Sequence, residues 1–155
     1  MGLDMYLEAR RYVSGYSHSS EQEQALFDSV TDAVGLKGVH DDRFATVSVN
    51  VAYWRKANQI HRWFVENVQD GKDDCGQYRV TRHMLLELGD VCTRVFKTGT
   101  VEVAEELLPL GAGSFFGSSH FDGYYFEEVE ATAKRITELL HSISEEYDFY
   151  YQASW

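Results

Sequence analysis

Three stretches of the chain alternate apolar and polar residues with a period of two, the pattern of a strand with one buried face. In the first, Leu3, Met5, Leu7 and Ala9 fall on one side and Asp4, Tyr6 and Glu8 on the other. In the second, Phe44 to Val51, Ala45, Val47, Val49 and Val51 alternate with Phe44, Thr46, Ser48 and Asn50, and the β-branched content supports a strand, expected to be central or nearly so. In the third, Phe149, Tyr151, Ala153 and Trp155 alternate with Tyr150, Gln152 and Ser154, so the carboxy-terminal tail reads as a strand tied into a sheet. A short strand at Tyr78 to Val80 completes a set of about four.

Between these, apolar residues recur at helical spacing. A first helix, capped by Ser19 or Ser20, carries Ala25, Leu26, Val30, Ala33 and Val34 and stops at Gly35. The second is predicted from Ala52 onward, with Tyr53, Ala57, Ile60, Phe64 and Val68 on its stripe and its end at Asp70 and Gly71. Thr81 caps a third bearing Met84, Leu85, Leu88, Val91, Cys92, Val95 and Phe96. Residues 101–108 form a short acidic helix stopped by Pro109. After a glycine-rich loop at 111–123, with a brief strand at Ser114 to Phe116, a fourth main helix carries Phe126, Val129, Ala133, Ile136, Leu140 and Ile143. Strands that alternate, rather than being apolar throughout, predict helices on one sheet face. The class is α+β, a small mixed or antiparallel sheet of about four strands packed by about four helices.

At 155 residues the expectation is one domain spanning residues 1–155, large enough to fold without a disulfide or a metal. Twenty-five acidic residues against 14 Lys and Arg give a formal charge of −11, which repels nucleic-acid backbones and anionic bilayers. No direct nucleic-acid binding and no membrane association are expected. Cys75 and Cys92 lie in neither a CxxC pair nor a zinc-spaced cluster, so neither metal nor cofactor is expected and free thiols in a cytoplasmic setting are. Ten Tyr, nine Phe and three Trp exceed what a core of this size requires, so part of the aromatic surface is expected to meet a partner, with a homodimer as one form.

Two groups of residues carry candidate ligand chemistry. On a second helix beginning at Ala52, Trp54, Asn58 and His61 fall at i, i+4 and i+7 and face one way. Trp54 would stack on a ring while Asn58 and His61 supply hydrogen bonds. The alternative is that they edge the core, with His61 satisfied by a nearby carbonyl. In the loop, Ser118, Ser119 and His120 with their backbone amides could hold an anion, although neither GxxxxGK[ST] nor GxGxxG is present. A glycine-permitted turn accounts for the same residues. Asp122, Glu127 and Glu128 are read as charging the amino terminus of the fourth helix.

The segments YWRKANQIHRWFVENVQDGKDDC, MGLDMYL, FFGSSHFDGYYF and FYYQASW resemble small phage and prophage proteins of unknown function. The resemblance covers most of the chain and assigns no catalytic residue. It implies an accessory protein in a bacterial host cytosol, in the company of host-modulating and anti-defence genes. Three functions are therefore weighed. The first is a binding protein acting on a host protein or a small nucleotide-like ligand. The second is a small hydrolase or transferase using His61 or His120. The third is an acidic DNA mimic, which requires a dense stripe of carboxylates.

Overall fold

The computed structural model describes residues 2–113 and 115–155. Four strands, β1 (Asp4–Ser14), β2 (Phe44–Arg55), β3 (Gln77–Val80) and β4 (Asp148–Ser154), form one antiparallel sheet in the order β2-β1-β4-β3. Among the described residues five helices, α1 (Glu21–Ala33), α2 (Asn58–Asn67), α3 (Arg82–Thr98), α4 (Val101–Leu107) and α5 (Gly123–Ser142), complete an α+β fold. The first and last strands are the two central ones. β2, expected to be central or nearly so, lies at an edge.

The junction of β2 and α2 differs from the expectation. The alternation of β2 continues to Arg55, with Ala52 and Trp54 buried, so α2 starts six residues later than its apolar spacing predicts. Lys56, with φ of 57°, breaks the strand and lets the chain turn into the helix. Within β2 the more buried positions change from odd numbers, Ala45 and Val47, to even ones, Ala52 and Trp54. A change of phase of this kind is what an extra residue in one strand produces. In α1 the buried residues are Phe27 and Thr31, while Ala25, Ala33 and Val34 from the expected stripe are exposed. The brief strand expected at Ser114 to Phe116 begins outside the described residues, and Phe115 and Phe116 lie in a turn.

The chain divides into two units. The larger comprises the residues up to Ala9 together with Asn50–Trp155. Its core takes Leu3, Met5 and Leu7 from β1 and Phe149, Tyr151 and Ala153 from β4, against Ile60 and Phe64 of α2, Leu88 and Cys92 of α3 and Val129 and Ile136 of α5. Each fully buried side chain of Leu or Phe size contributes about 1.5–3 kcal/mol by leaving water, so these positions dominate the stability of the unit. The helix ends are closed by local chemistry. Thr81 Oγ1 accepts from Met84 N (3.1 Å) at the start of α3, and Gly99, at φ of 62°, ends it. Asp122 caps α5, and Arg82 donates to the carbonyls of Ile143 and Ser144 (both 2.5 Å) just past its end.

The smaller unit, Arg10–Val49, holds the end of β1, α1 and the start of β2. Val13, Phe27 and Thr31 form its interior. The Arg43 guanidinium lies 5.3 Å over the Phe27 ring, and Arg11 pairs with Glu23 at 2.7 Å.

Candidate functional site

α2 is buried on most of its circumference: Asn58, Gln59, Ile60, His61, Trp63 and Phe64 are all inside. A polar side chain so placed needs partners, because an unmet hydrogen-bonding group costs more than the bond would contribute. Asn58 finds them in the glycine-rich loop. Its Nδ2 donates to the Ser118 carbonyl (2.8 Å), and its Oδ1 accepts from Gly111 N (2.9 Å). One amide thus ties both ends of the 111–118 segment to the first turn of the helix. The close approach depends on glycine: a Cβ on Gly111 would lie 2.7 Å from the Asn58 carbonyl oxygen. Gly117, at φ of 119°, sits where a Cβ would overlap the Lys56 carbonyl.

His61 lies one turn further on, 3% exposed. Its Nδ1 is 2.7 Å from the Tyr151 hydroxyl and its Nε2 is 3.0 Å from Asp73 Oδ1. A carboxylate only accepts, so Nε2 carries the proton and donates to Asp73. Burial lowers the imidazole pKa, an effect that Asp73 opposes only in part, so the ring is held neutral and Nδ1 is an acceptor. Burial also pushes the Tyr151 phenol well up, which keeps its proton in place to donate to Nδ1. The result is a directed chain, Tyr151 to His61 to Asp73, with both imidazole nitrogens occupied. Phe116 (5.6 Å) and Trp155 (6.0 Å) flank the ring, and Tyr151 stacks on Phe64 at 3.8 Å.

The partly exposed Asp73 marks the solvent end of this chain. Beside it opens a cavity of about 310 Å³ lined by His61, Arg62, Glu66, Asp73, Gly111 and Phe116, among others. Arg62 is engaged within it, donating to Glu66 Oε1 (2.7 Å) and to the Leu110 carbonyl (2.9 Å).

Of the residues singled out in the sequence, Asn58 and His61 therefore meet the glycine-rich loop, and Trp54 does not. Trp54 belongs to β2, is 4% exposed, and donates from Nε1 to Thr132 Oγ1 on α5 (2.9 Å). Its alignment with Asn58 and His61 assumed one continuous helix, which Lys56 interrupts. Ser118, Ser119 and His120 lie outside the cavity lining, in the approach to α5. Ser118 Oγ accepts from His120 N and donates to Asp122 Oδ2 (both 3.1 Å), while Asp122 Oδ1 accepts from Tyr125 N (3.0 Å). The Tyr125 amide, with help from Ser118, holds the Asp122 carboxyl below the usual carboxylate range. These groups build a helix cap.

The sequence reading missed Asp73, Phe116 and Trp155 as neighbours of His61. Tyr151 was legible as an inward position of the last strand, but its hydroxyl partner was not. Among the described residues no group of three or more His, Cys, Asp or Glu could hold a metal ion, and no helix is long and apolar enough to cross a membrane.

The opposite face of the sheet is different in character. In the larger unit, buried and accessible residues alternate along each strand, leaving Tyr6 and Glu8 of β1, Tyr53 of β2, Gln77 and Arg79 of β3, and Tyr150 and Gln152 of β4 on the outer side. Tyr6 and Tyr53 lie 5.3 Å apart, centroid to centroid, and the Tyr53 hydroxyl donates to Asp4. Gln77 stands across from Gln152, and Arg79 across from Tyr150.

No protein-family model matches the chain, and neither does any curated protein or any solved structure.

Proposed function

We propose that this chain is a phage-encoded accessory protein of the bacterial cytosol that acts by binding a host protein, through the aromatic outer face of its sheet. The observation that carries this reading is the tyrosine-rich outer sheet face, with Tyr53 53% exposed. Tyr side chains offer a large contact area with few rotatable bonds, which makes them the commonest anchors of protein interfaces. The polar residues around them supply the directional bonds of an interface rim. By contrast, His61, the residue best placed for acid–base work, has both nitrogens engaged. Affinity capture from a bacterial lysate, followed by mass spectrometry of retained proteins and extracted small molecules, tests the reading. It predicts a retained protein at stoichiometric yield; clean eluates at high load contradict it.

A second reading keeps a small nucleotide-like ligand, or acid–base chemistry on one, at the 310 Å³ cavity. It is favoured by the directed Tyr151, His61 and Asp73 chain ending at that cavity, in the manner of an oriented general base. This size is at the lower end of ligand pockets, about 300–1,000 Å³. Turnover in a nucleotide screen that disappears in His61→Gln would support it, and inactivity of the intact chain across that screen counts against it. DNA mimicry has less support, because the carboxylates of Glu23, Asp28, Glu66, Glu130 and Asp148 are each paired with an Arg or Lys.

A further inference from the structure

We infer that a cavity between α2 and the end of α4 binds a neutral, flat ring compound carrying a hydrogen-bond donor and acceptor side by side, a nucleobase or its nucleoside without phosphate. The feature that carries the inference is a pair of buried polar side chains that the fold leaves unbonded, Gln59 (4% exposed) and Trp63 (7% exposed), one turn apart on α2. Among the described residues nothing bonds the Gln59 amide or the Trp63 indole N–H, and neither group is sealed from solvent. Elsewhere in the core such groups are paired: Trp54 donates to Thr132, and Asn58 uses both ends of its amide. Gln59 and Trp63 line a cavity of about 320 Å³, and it is there that they open. It shares only the Arg62 and Glu66 ion pair with the cavity beside Asp73, so the inference goes beyond both readings above.

Gln59 offers a donor and an acceptor in one plane, the arrangement that pairs doubly with an adenine edge. The Trp63 indole only donates, so it requires a further acceptor on the guest and disfavours a simple cation. Its ring is held edge-to-face against Phe64 at 5.4 Å. Asn67, the next turn along, donates from Nδ2 to the Trp63 carbonyl (2.8 Å), and its Oδ1 is an acceptor with no described partner. Glu66 is neutralised by Arg62 at 2.7 Å, whereas the exposed Glu106 pairs with no described cation and opposes a phosphate. Val91 of α3, with Leu107, Leu108 and Pro109, supplies an apolar wall. Water can meet the polar groups but gains nothing from that wall, and a flat ring meets both. A purely apolar guest would cover the wall and leave Gln59 and Trp63 unpaired, which is costly for buried groups. The volume stands at the lower end of ligand pockets, about 300–1,000 Å³, which suits a base with or without its sugar.

The test titrates adenosine, guanosine, cytidine and uridine, each to millimolar concentration, into the isotope-labelled chain and follows its N–H resonances by NMR. The Trp63 indole and Gln59 side-chain signals are assigned from Trp63→Phe and Gln59→Leu. Saturable shifts of both signals are expected with at least one nucleoside, adenosine first, with weaker binding of its monophosphate and none of ribose. Gln59→Leu keeps the bulk of the side chain and removes the amide, so affinity should fall about tenfold. Because no protein partner is lost, its urea midpoint should equal or exceed that of the parent chain. A lowered midpoint with unchanged affinity would make Gln59 a packing residue and overturn the inference. Absence of shifts with every nucleoside would leave these groups to water and overturn it too, as would shifts confined to the surroundings of Asp73. Equal binding of ribose, or of the monophosphate, would overturn recognition of a neutral base. Capture of a host protein through the outer sheet face is independent of all these outcomes.

Discussion

His61 Nδ1 and the Tyr151 hydroxyl meet at 2.7 Å inside the core, joining a residue from α2 to one on the central strand β4. Among the described residues the hydroxyl is the donor given to that nitrogen. Tyr151→Phe keeps the ring that stacks on Phe64 and removes the donor, leaving a buried acceptor unmet. The expected loss of stability is about 1–3 kcal/mol, visible as a lower urea midpoint at unchanged slope. A midpoint equal to that of the parent chain would mean that Nδ1 finds water instead.

The same imidazole makes stability depend on pH in a defined direction. Its folded pKa lies below the unfolded value of about 6.5, first through burial, with Asp73 acting the other way. In the window between the two values the unfolded chain binds more protons than the native one, so stability falls as pH drops below about 6.5 and levels off beneath the folded pKa. Urea midpoints should therefore decline from neutral toward mildly acidic pH, and His61→Gln should decline less over that interval. An identical decline in the variant would place the pH dependence elsewhere.

The loop that closes over α2 depends on Gly117. At φ of 119°, a residue with a side chain is strained whatever its surroundings, and here a Cβ would also overlap the Lys56 carbonyl. Gly117→Ala should cost about 1–3 kcal/mol or more, and faster amide exchange at Gly111, whose N–H is held by Asn58, should reveal loosening of the loop. Unchanged protection at Gly111 would show that Asn58 holds the segment without help from this turn.

The two thiols should differ in reactivity. Cys92 is fully buried in α3 and burial drives its pKa far up, whereas Cys75 is partly exposed. A thiol reagent should titrate one group in the native chain and the second only on unfolding, because the thiolate is the reactive form. Rapid native modification of both would place Cys92 nearer the surface than this packing allows.

Much of the fold was legible from period alone. The alternation in β1 and β4 identified Leu3, Met5, Leu7, Phe149, Tyr151 and Ala153 as inward, and all are buried. The stripe of α5 likewise named Val129, Ala133 and Ile136. The junction of β2 and α2 was not, because Tyr53, Ala57, Ile60 and Phe64 satisfy a helical spacing while Ala52 and Trp54 satisfy a strand's. The deciding feature, a left-handed Lys56, has no signature in residue type. The candidate site was half legible for the same reason. Asn58 and His61 were identified on the right helix, but Asp73 approaches from a polar loop and Phe116 from a glycine-rich one. Neither arrives by a periodicity that a sequence displays. On the outer sheet face, Tyr6 and Tyr150 could be read as the polar halves of the alternations in β1 and β4, but Tyr53 was assigned to a helical stripe, and its meeting with Tyr6 needed the longer β2 and the strand order.

The most direct test of binding through the outer face compares capture from one bacterial lysate by three forms of the chain: the parent, Tyr53→Ala with Tyr150→Ala, and His61→Gln. Far-ultraviolet circular dichroism and urea midpoints establish that each is folded. The account predicts a host protein retained by the parent and by His61→Gln and lost, about tenfold or more, with the tyrosine pair. Retention by the tyrosine pair together with loss in His61→Gln would contradict it and move the function to the cavity beside Asp73.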